Sequence, residues 1–296
     1  MRDAVENVAT TGRVLKVRRR DGGDVTGRLY RRRRDSGDLP LRPRTTGTPG
    51  TSRDLVAEFL TARPFYISHR LGGTEYPEFT QAGLDASLRA GFKALEISLR
   101  RCASGEYVMI HDWTTERTTG QKFPIWSTPW DTLKNLRQAS GPFLRFTDLL
   151  EQLPDDVILA IDHKVTSSKQ DANSSDLQAE LDLYDLLDDA FNGHPERRVL
   201  WKHFVNAGSV ARAKARGYRT MCMLYTNELA AAEFTRWDVL GLDWNSTAAA
   251  RQQHNATGQP IIAYIIKSQS QAQTAPGKGE GGPIAYQPTT VHPVAS

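Results

Sequence analysis

Cysteine is scarce in this chain: Cys102 and Cys222 are the only two among 296 residues. Two thiols are too few for a disulfide framework or a thiolate metal site, and both read as free. Long apolar runs are missing too. No stretch approaches the roughly 18 apolar residues that a spanning helix needs. The first residues lack the apolar core of a signal peptide, so classical secretion is not indicated and a soluble chain is expected. Aromatics are nearly absent from residues 1–53, where Tyr30 stands alone. Stacking on nucleic-acid bases wants several such rings. The arginines there therefore read as a solvated or partner-docked face, for a protein or another polyanion, ahead of a base-reading surface.

What is present divides unevenly. Residues 1–53 hold 14 Lys and Arg against 6 Asp and Glu, a charge of +8, whereas the remainder carries −4. A basic arm is thus joined to a mildly acidic domain at residues 53–54. In the arm, Val14–Val17 and 26–30 flank Arg18-Arg19-Arg20-Asp21-Gly22-Gly23-Asp24, whose turn formers predict a β-hairpin. Arg31 to Arg34 and the Pro-, Gly- and Thr-rich stretch from Pro40 read as a linker.

From Asp54 the chain alternates short apolar runs with helical spacing. The runs at 65–69, 93–98, 157–162, 199–204, 219–224, 239–244, 260–266 and 283–286 predict eight strands. Helices are expected around 87–90, 131–136, 147–152, 175–191, 210–215 and 229–234; Gly- and Pro-bearing sequence from Pro276 to Gly282 stands where a regular barrel would carry one more. Glu96 and His111 are only fifteen residues apart with Gly105 between them. A parallel crossover needs a dozen or more residues besides its strands, so 99–110 is expected to be a hairpin at the rim. The last strand is the shortest run. The pattern is α/β, and about 250 residues suit one (β/α)8 TIM barrel behind a basic N-terminal extension.

Several runs end in residues with chemistry. Phe65-Tyr66-Ile67-Ser68 delivers His69-Arg70; Tyr76-Pro77-Glu78-Phe79-Thr80 follows; the next run contains Glu96; then come His111-Asp112 and Arg117-Thr118-Thr119. In this order the set resembles the glycerophosphodiester phosphodiesterase family, with its His-Arg-Gly strand end, Pro-Glu-Asn-Thr loop, Glu-x-Asp strand, His-Asp and Arg-Thr-Thr. The resemblance spans roughly Phe65 to Pro288.

That family implies metal-dependent hydrolysis of glycerophosphodiesters, either deacylated phospholipid or polyglycerol-phosphate of teichoic-acid type. The chemistry needs charge neutralised on two non-bridging oxygens, a base for the nucleophile and an acid for the leaving oxygen. His69 and His111 are the expected acid–base pair, since imidazole titrates near working pH. Glu96, Ser98 and Asp162 are the expected ligands of a divalent cation, Mg2+ or Ca2+. Ser98 stands where the family has its second carboxylate; i and i+2 share one face of a strand, but a hydroxyl brings no charge. Arg70 and Lys164 are expected on the phosphate, with Lys202 a third member and Trp244 a wall of the pocket that equally suits barrel core. Glu78 and Asp112 read as supports behind them.

Three departures stand out: Leu71 for the family's Gly, Phe79 for its Asn, and Ser98. They motivate a second reading, a catalytically weakened barrel that binds glycerol-phosphate polymer, for example in a phage tail. A short hairpin arm ahead of such a barrel is similar to attachment segments of phage tail proteins. A cytoplasmic or a tail-associated location follows from one reading or the other.

Overall fold

The computed structural model describes residues 8–11, 14–17, 53–62, 64–73, 75–139, 141–164, 177–204, 209–224 and 234–293. The chain divides into two compact units, Met1–Thr51 and Ser52–Ser296. In the first, β1 (Val8–Thr11) and β2 (Val14–Val17) pair antiparallel, with Thr11 opposite Val14. The strand Val14–Val17 is as expected and pairs with the preceding segment, whereas the partner expected at 26–30 lies outside the described residues.

The second unit opens with α1 (Leu55–Thr61), which the sequence did not announce. Asp54 caps it, its carboxylate accepting from the Ala57 N–H at 2.9 Å. Asp54 also pairs with Arg219 at 2.8 Å. Val56 and Leu60 of α1 pack with the inward side chains of the barrel, so the helix seals the end at which the strands begin.

Eight strands close the ring: β3 (Ile67–Ser68), β4 (Ala94–Arg101), β8 (Ile158–His163), β9 (Val199–Phe204), β10 (Arg219–Leu224), β11 (Val239–Asp243), β12 (Ile261–Ile266) and β13 (Gly282–Ala285). Neighbours pair parallel all the way round, and β13 returns to β3. The expected hairpin is present: β4 continues up to Arg101, and β5 (Tyr107–Met109) comes back antiparallel with Met109 opposite Leu99. A small ribbon, β6 (Arg137–Gln138) with β7 (Gly141–Pro142), lies in the same crossover.

The helices are α2 (Gln81–Arg89), α3 (Glu116–Thr119), α4 (Trp130–Leu133), α5 (Phe146–Gln152), α6 (Leu177–Ala190), α7 (Val210–Ala215), α8 (Ala248–Asn255) and α9 (Gln269–Thr274). Three of them, α3, α8 and α9, were not anticipated. In place of the helix-free stretch expected before the last strand, α9 runs into a 3-10 turn, Pro276–Lys278. The helix expected at 229–234 lies outside the described residues up to 233, and Phe234 begins a 3-10 turn. Among the described residues no helix is long and apolar enough to cross a membrane.

Strand alternation explains both the core and the site. Leu159, Ile161, Val199 and Trp201 point outward against Leu183, Tyr184 and Leu187 of α6. Ile67, Ala94, Ile158, Ala160, Leu200, Met221, Val239 and Ile262 point inward and fill the barrel. Continuing along those inward positions, the chemistry changes: Ala94 gives way to Glu96 and Ser98, Ala160 to Asp162, and Leu200 to Lys202. The apolar plug therefore ends where the charged mouth begins, at the carboxyl ends of the strands.

The turn after β3 is built against backbone preference. Arg70 has φ 48° and Leu71 φ 61°, and Phe79 further on has φ 59°. Two of the three departures from the family pattern, Leu71 for Gly and Phe79 for Asn, thus sit where a left-handed backbone favours the family residue. A Cβ on Gly73 would lie 1.7 Å from the Tyr286 carbonyl oxygen, so glycine is required there. Leu71 is fully buried in the outer core. Left-handed strain costs about 1–2 kcal/mol, while deleting a buried leucine costs about 2–5 kcal/mol. Packing outweighs strain, so Leu71→Gly should lower the midpoint of thermal unfolding followed by circular dichroism by about 3–9 °C. A rise would show that strain dominates.

Candidate active site

The carboxyl ends of the strands surround a cavity of about 280 Å³ whose wall includes His69, Arg70, Glu96, His111, Asp162 and Lys202. Each arrives by a different route. His69 and Arg70 ride the tight turn that follows β3. Glu96, Asp162 and Lys202 are inward side chains of three adjacent strands, and the register sets Ser98 beside Asp162 and Asp162 beside Lys202. His111 is returned to the mouth by the β4–β5 hairpin. Residues separated by over a hundred positions in the chain thereby share one wall.

A continuous hydrogen-bonded chain links the two histidine-bearing segments. Arg70 Nη1 donates to Glu78 Oε2 at 2.8 Å. Arg117 donates from Nη2 to the other Glu78 oxygen and from Nε to Asp112 Oδ2. Asp112 Oδ1 accepts from His111 Nδ1 at 2.8 Å. A carboxylate only accepts, so Nδ1 carries the proton and Nε2 keeps the lone pair of the neutral ring. Glu78 and Asp112 thus stand behind Arg70 and His111. Arg117, quoted as part of a motif but given no task from sequence, joins the two supports.

Burial pushes His69 down to about 4, against the pull of the Glu96 carboxylate. Burial also lowers His111, with the Asp112 bond working the other way. Asp112 is held well below the usual carboxylate range, first by its bond to His111 and then by Arg117. Arg100 was also missed: its guanidinium donates to the His111 carbonyl at 2.8 and 3.2 Å and to the Lys164 carbonyl at 3.3 Å. Its ring partner Trp113 lies 3.9 Å below. The signal was available, since Glu96, Ser98 and Arg100 recur every second residue on one strand face.

The expected metal ligands behave differently. The Lys202 ammonium donates to Glu96 Oε1. Asp162 Oδ2 accepts from Ser98 Oγ at 3.0 Å and pairs with Lys164 Nζ at 3.0 Å. Burial opposes the charged form of Lys202, yet Glu96 and Asp162 raise it above an ordinary lysine. Burial likewise opposes ionisation of Asp162, but Lys164 and Lys202 hold it well below the usual range. Two carboxylates therefore face two ammonium groups. A dication about 4 Å from a unit charge exchanges about 8 kcal/mol with it at an effective dielectric of about 20, so each lysine cancels what its carboxylate would contribute. Among the described residues no three His, Cys, Asp or Glu side chains are grouped to hold a metal. Glu96 keeps only Oε2 without a hydrogen-bond partner, and both carboxylates of the expected set already carry an ammonium, whereas Mg2+ or Ca2+ takes six or more oxygen donors. The residues do not fit a divalent cation.

Two further placements differ from expectation. The described cavity wall does not include Lys164, which is turned onto Asp162. Nor does it include Trp244, whose inward neighbour Asp243 takes that place; the Trp244 ring packs against the outer core under Lys278 Nζ at 3.6 Å. Strand alternation is the reason, because residue 243 shares the inward face with Val239 and 244 does not. Tyr264, Asn245 and Lys267 complete that side.

Comparison with known proteins agrees with this architecture. The model of the glycerophosphoryl diester phosphodiesterase family matches residues 69–275. A Bacillus subtilis (strain 168) protein, YqiK, is 29% identical over 92 residues, 31% of this chain and 38% of its own length. The "Probable glycerophosphodiester phosphodiesterase 1" of Mycobacterium tuberculosis is 34% identical over 62 residues, 21% of this chain and 23% of its own length. This chain therefore spans well under half the length of those curated relatives. Among solved structures, a glycerophosphodiester phosphodiesterase from Agrobacterium tumefaciens superposes with TM-score 0.60 at 18% identity, over 76% of this chain and 96% of that one. An Oleispira antarctica phosphodiesterase in complex with the product sn-glycerol-3-phosphate gives TM-score 0.58 at 18% identity, over 77% and 95%. With the ordered motifs on one barrel mouth and the model matched over most of the barrel, this chain belongs to the glycerophosphoryl diester phosphodiesterase family.

Proposed function

We propose that the unit from residue 54 onward hydrolyses glycerophosphodiesters by acid–base catalysis between His69 and His111, with the basic segment 1–53 serving to dock a protein or polyanion. The observation that carries this is the bonded chain Arg70–Glu78–Arg117–Asp112–His111, which ends in the same cavity as His69. A phosphate-binding guanidinium and a carboxylate-oriented imidazole are thereby held in one frame. A bare structural role would not need both ends in a hollow of this size.

Arg70 and Lys202 take the non-bridging oxygens. His69, the more strongly held in the neutral form, accepts the proton of the nucleophile as its oxygen bonds to phosphorus. The ester P–O bond breaks, and the proton of His111 passes to the departing alkoxide. Asp112 suits His111 to that role because it favours the imidazolium. Water as nucleophile yields glycerol phosphate and an alcohol; a neighbouring glycerol hydroxyl yields a cyclic phosphate. The substrate is a glycerol phosphodiester, of the deacylated phospholipid or the polyglycerol-phosphate type. The family's divalent cation is not used in this account, since the lysines occupy its carboxylates.

Phosphorus NMR of the chain with sn-glycerol-3-phosphocholine and with a glycerol-phosphate oligomer tests the reading. Release of a monoester or cyclic phosphate is expected, falling by about 10²–10⁴-fold in His111→Ala. Binding of both compounds without turnover by either would establish the binding-module reading instead. The pH profile follows from the two histidines. The base must be neutral, so kcat/KM should fall as acidity rises through about pH 4. The acid must be charged, and His111 lies below its ordinary value, so the alkaline limb should begin below pH 6.5. An optimum of kcat/KM above pH 7 would show that His111 is not the charged acid. Arg117→Met cuts the bonded chain at its centre while leaving every cavity side chain in place. It should lower kcat/KM by about tenfold and stability by about 1–3 kcal/mol, since Glu78 Oε1 loses its donor; an unaltered rate would show that the two supports act separately.

A further inference from the structure

The family pattern offers two inward carboxylates on the strand that becomes β4, and this chain has one. Ser98, in the second position, is fully buried and spends its hydroxyl on Asp162. A lysine stands nearby instead. Lys202 comes from β9, two strands away, at the level of Asp162 and Ser98 in the register. It is as buried as the carboxylate it meets, with side-chain exposures of 6% for Lys202 and 3% for Glu96. A lysine is rarely buried to that degree without a partner, and here it is also part of the cavity wall. An ammonium has three donors and Glu96 Oε1 takes one of them. With Lys164 on Asp162, both carboxylates expected to hold a cation carry an ammonium of the chain's own.

We propose that Lys202 is a built-in replacement for the divalent cation: seated on Glu96, its ammonium neutralises a non-bridging oxygen of the phosphodiester, and the site binds and turns over its substrate without metal. No bond to Lys202 forms or breaks, and it keeps its proton throughout; the transferred protons remain those of His69 and His111. The turnover half of the statement rests on the hydrolase reading above, whereas the binding half does not.

The test uses the full chain dialysed against EDTA. Turnover of sn-glycerol-3-phosphocholine should change by no more than about twofold between chelator and added Mg2+ or Ca2+, because the two carboxylates expected to hold the cation are already paired with lysines. Calorimetry with Mn2+ should show no stoichiometric binding. Lys202→Gln should weaken sn-glycerol 3-phosphate binding in EDTA by about 10–100-fold, the size of a charge-assisted hydrogen bond. The pair Ser98→Asp with Lys202→Gln rebuilds a three-carboxylate set and should bind Mn2+ where the natural chain does not. Activity abolished by EDTA and restored by Mg2+ or Ca2+ overturns the proposal, as does stoichiometric Mn2+ binding by the natural chain. These wild-type measurements decide it even if neither variant folds. If no condition gives turnover, the hydrolase reading falls. Glycerol-phosphate binding in EDTA that depends on Lys202 would then still support this inference, and binding indifferent to Lys202→Gln would overturn it.

Discussion

At the mouth of this barrel, the ammonium of Lys202 lies against the carboxylate of Glu96, both withdrawn from water. Removing two such charges from solvent costs several kcal/mol each, and mutual attraction repays that only with close geometry and further hydrogen bonds. The barrel supplies that geometry through strand register. Asp162, one strand over, extends the pattern by taking both Ser98 and Lys164. Without this pairing, the inward positions above the apolar plug would hold uncompensated charge. The strands that carry it could not then pack as closely as Leu95, Ile97, Leu159 and Ile161 require on the other face.

Around that fixed centre, the loops carry the adjustable parts. His111 is not on a barrel strand; it is brought to the rim by β5 and held there through its carbonyl by Arg100 and through its ring by Asp112. His69 and Arg70 are presented by a turn of left-handed backbone, which aims two consecutive side chains into one hollow. Such strain persists only where surrounding packing determines it. Buried Leu71 and Phe79 provide that packing here, where the family pattern carries residues better suited to the backbone but smaller. The chain has traded local comfort for core volume at these positions.

Charge and shape therefore play separate parts. Burial keeps His69 neutral, and a carboxylate keeps His111 oriented; both are consequences of where the residues sit and neither is a property of histidine itself. The family's barrel tolerates this because its hydrophobic plug lies in a different layer from its chemistry. Exchange of a carboxylate for Ser98 and the presence of Lys202 alter the mouth without touching Ile158, Leu200 or Val239 below it.

The amino-acid sequence by itself determined the barrel, because eight apolar runs at regular spacing have few other ways to bury both faces, and it determined the hairpin from the short interval between Glu96 and His111. It also named every member of the bonded chain from Arg70 to His111, since those residues recur in one order. It did not reveal α1, α3, α8 or α9, which are too short to show a clear period and whose placement is set by caps such as Asp54 and by packing against strands. Nor did it reveal that Val14–Val17 pairs with Val8–Thr11. Only the tertiary structure decided that Trp244 turns away from the cavity, that Lys164 is committed to Asp162 and that Lys202 meets Glu96. Those outcomes depend on which face each strand presents and on how far its neighbour is shifted, and distance along the chain contains neither.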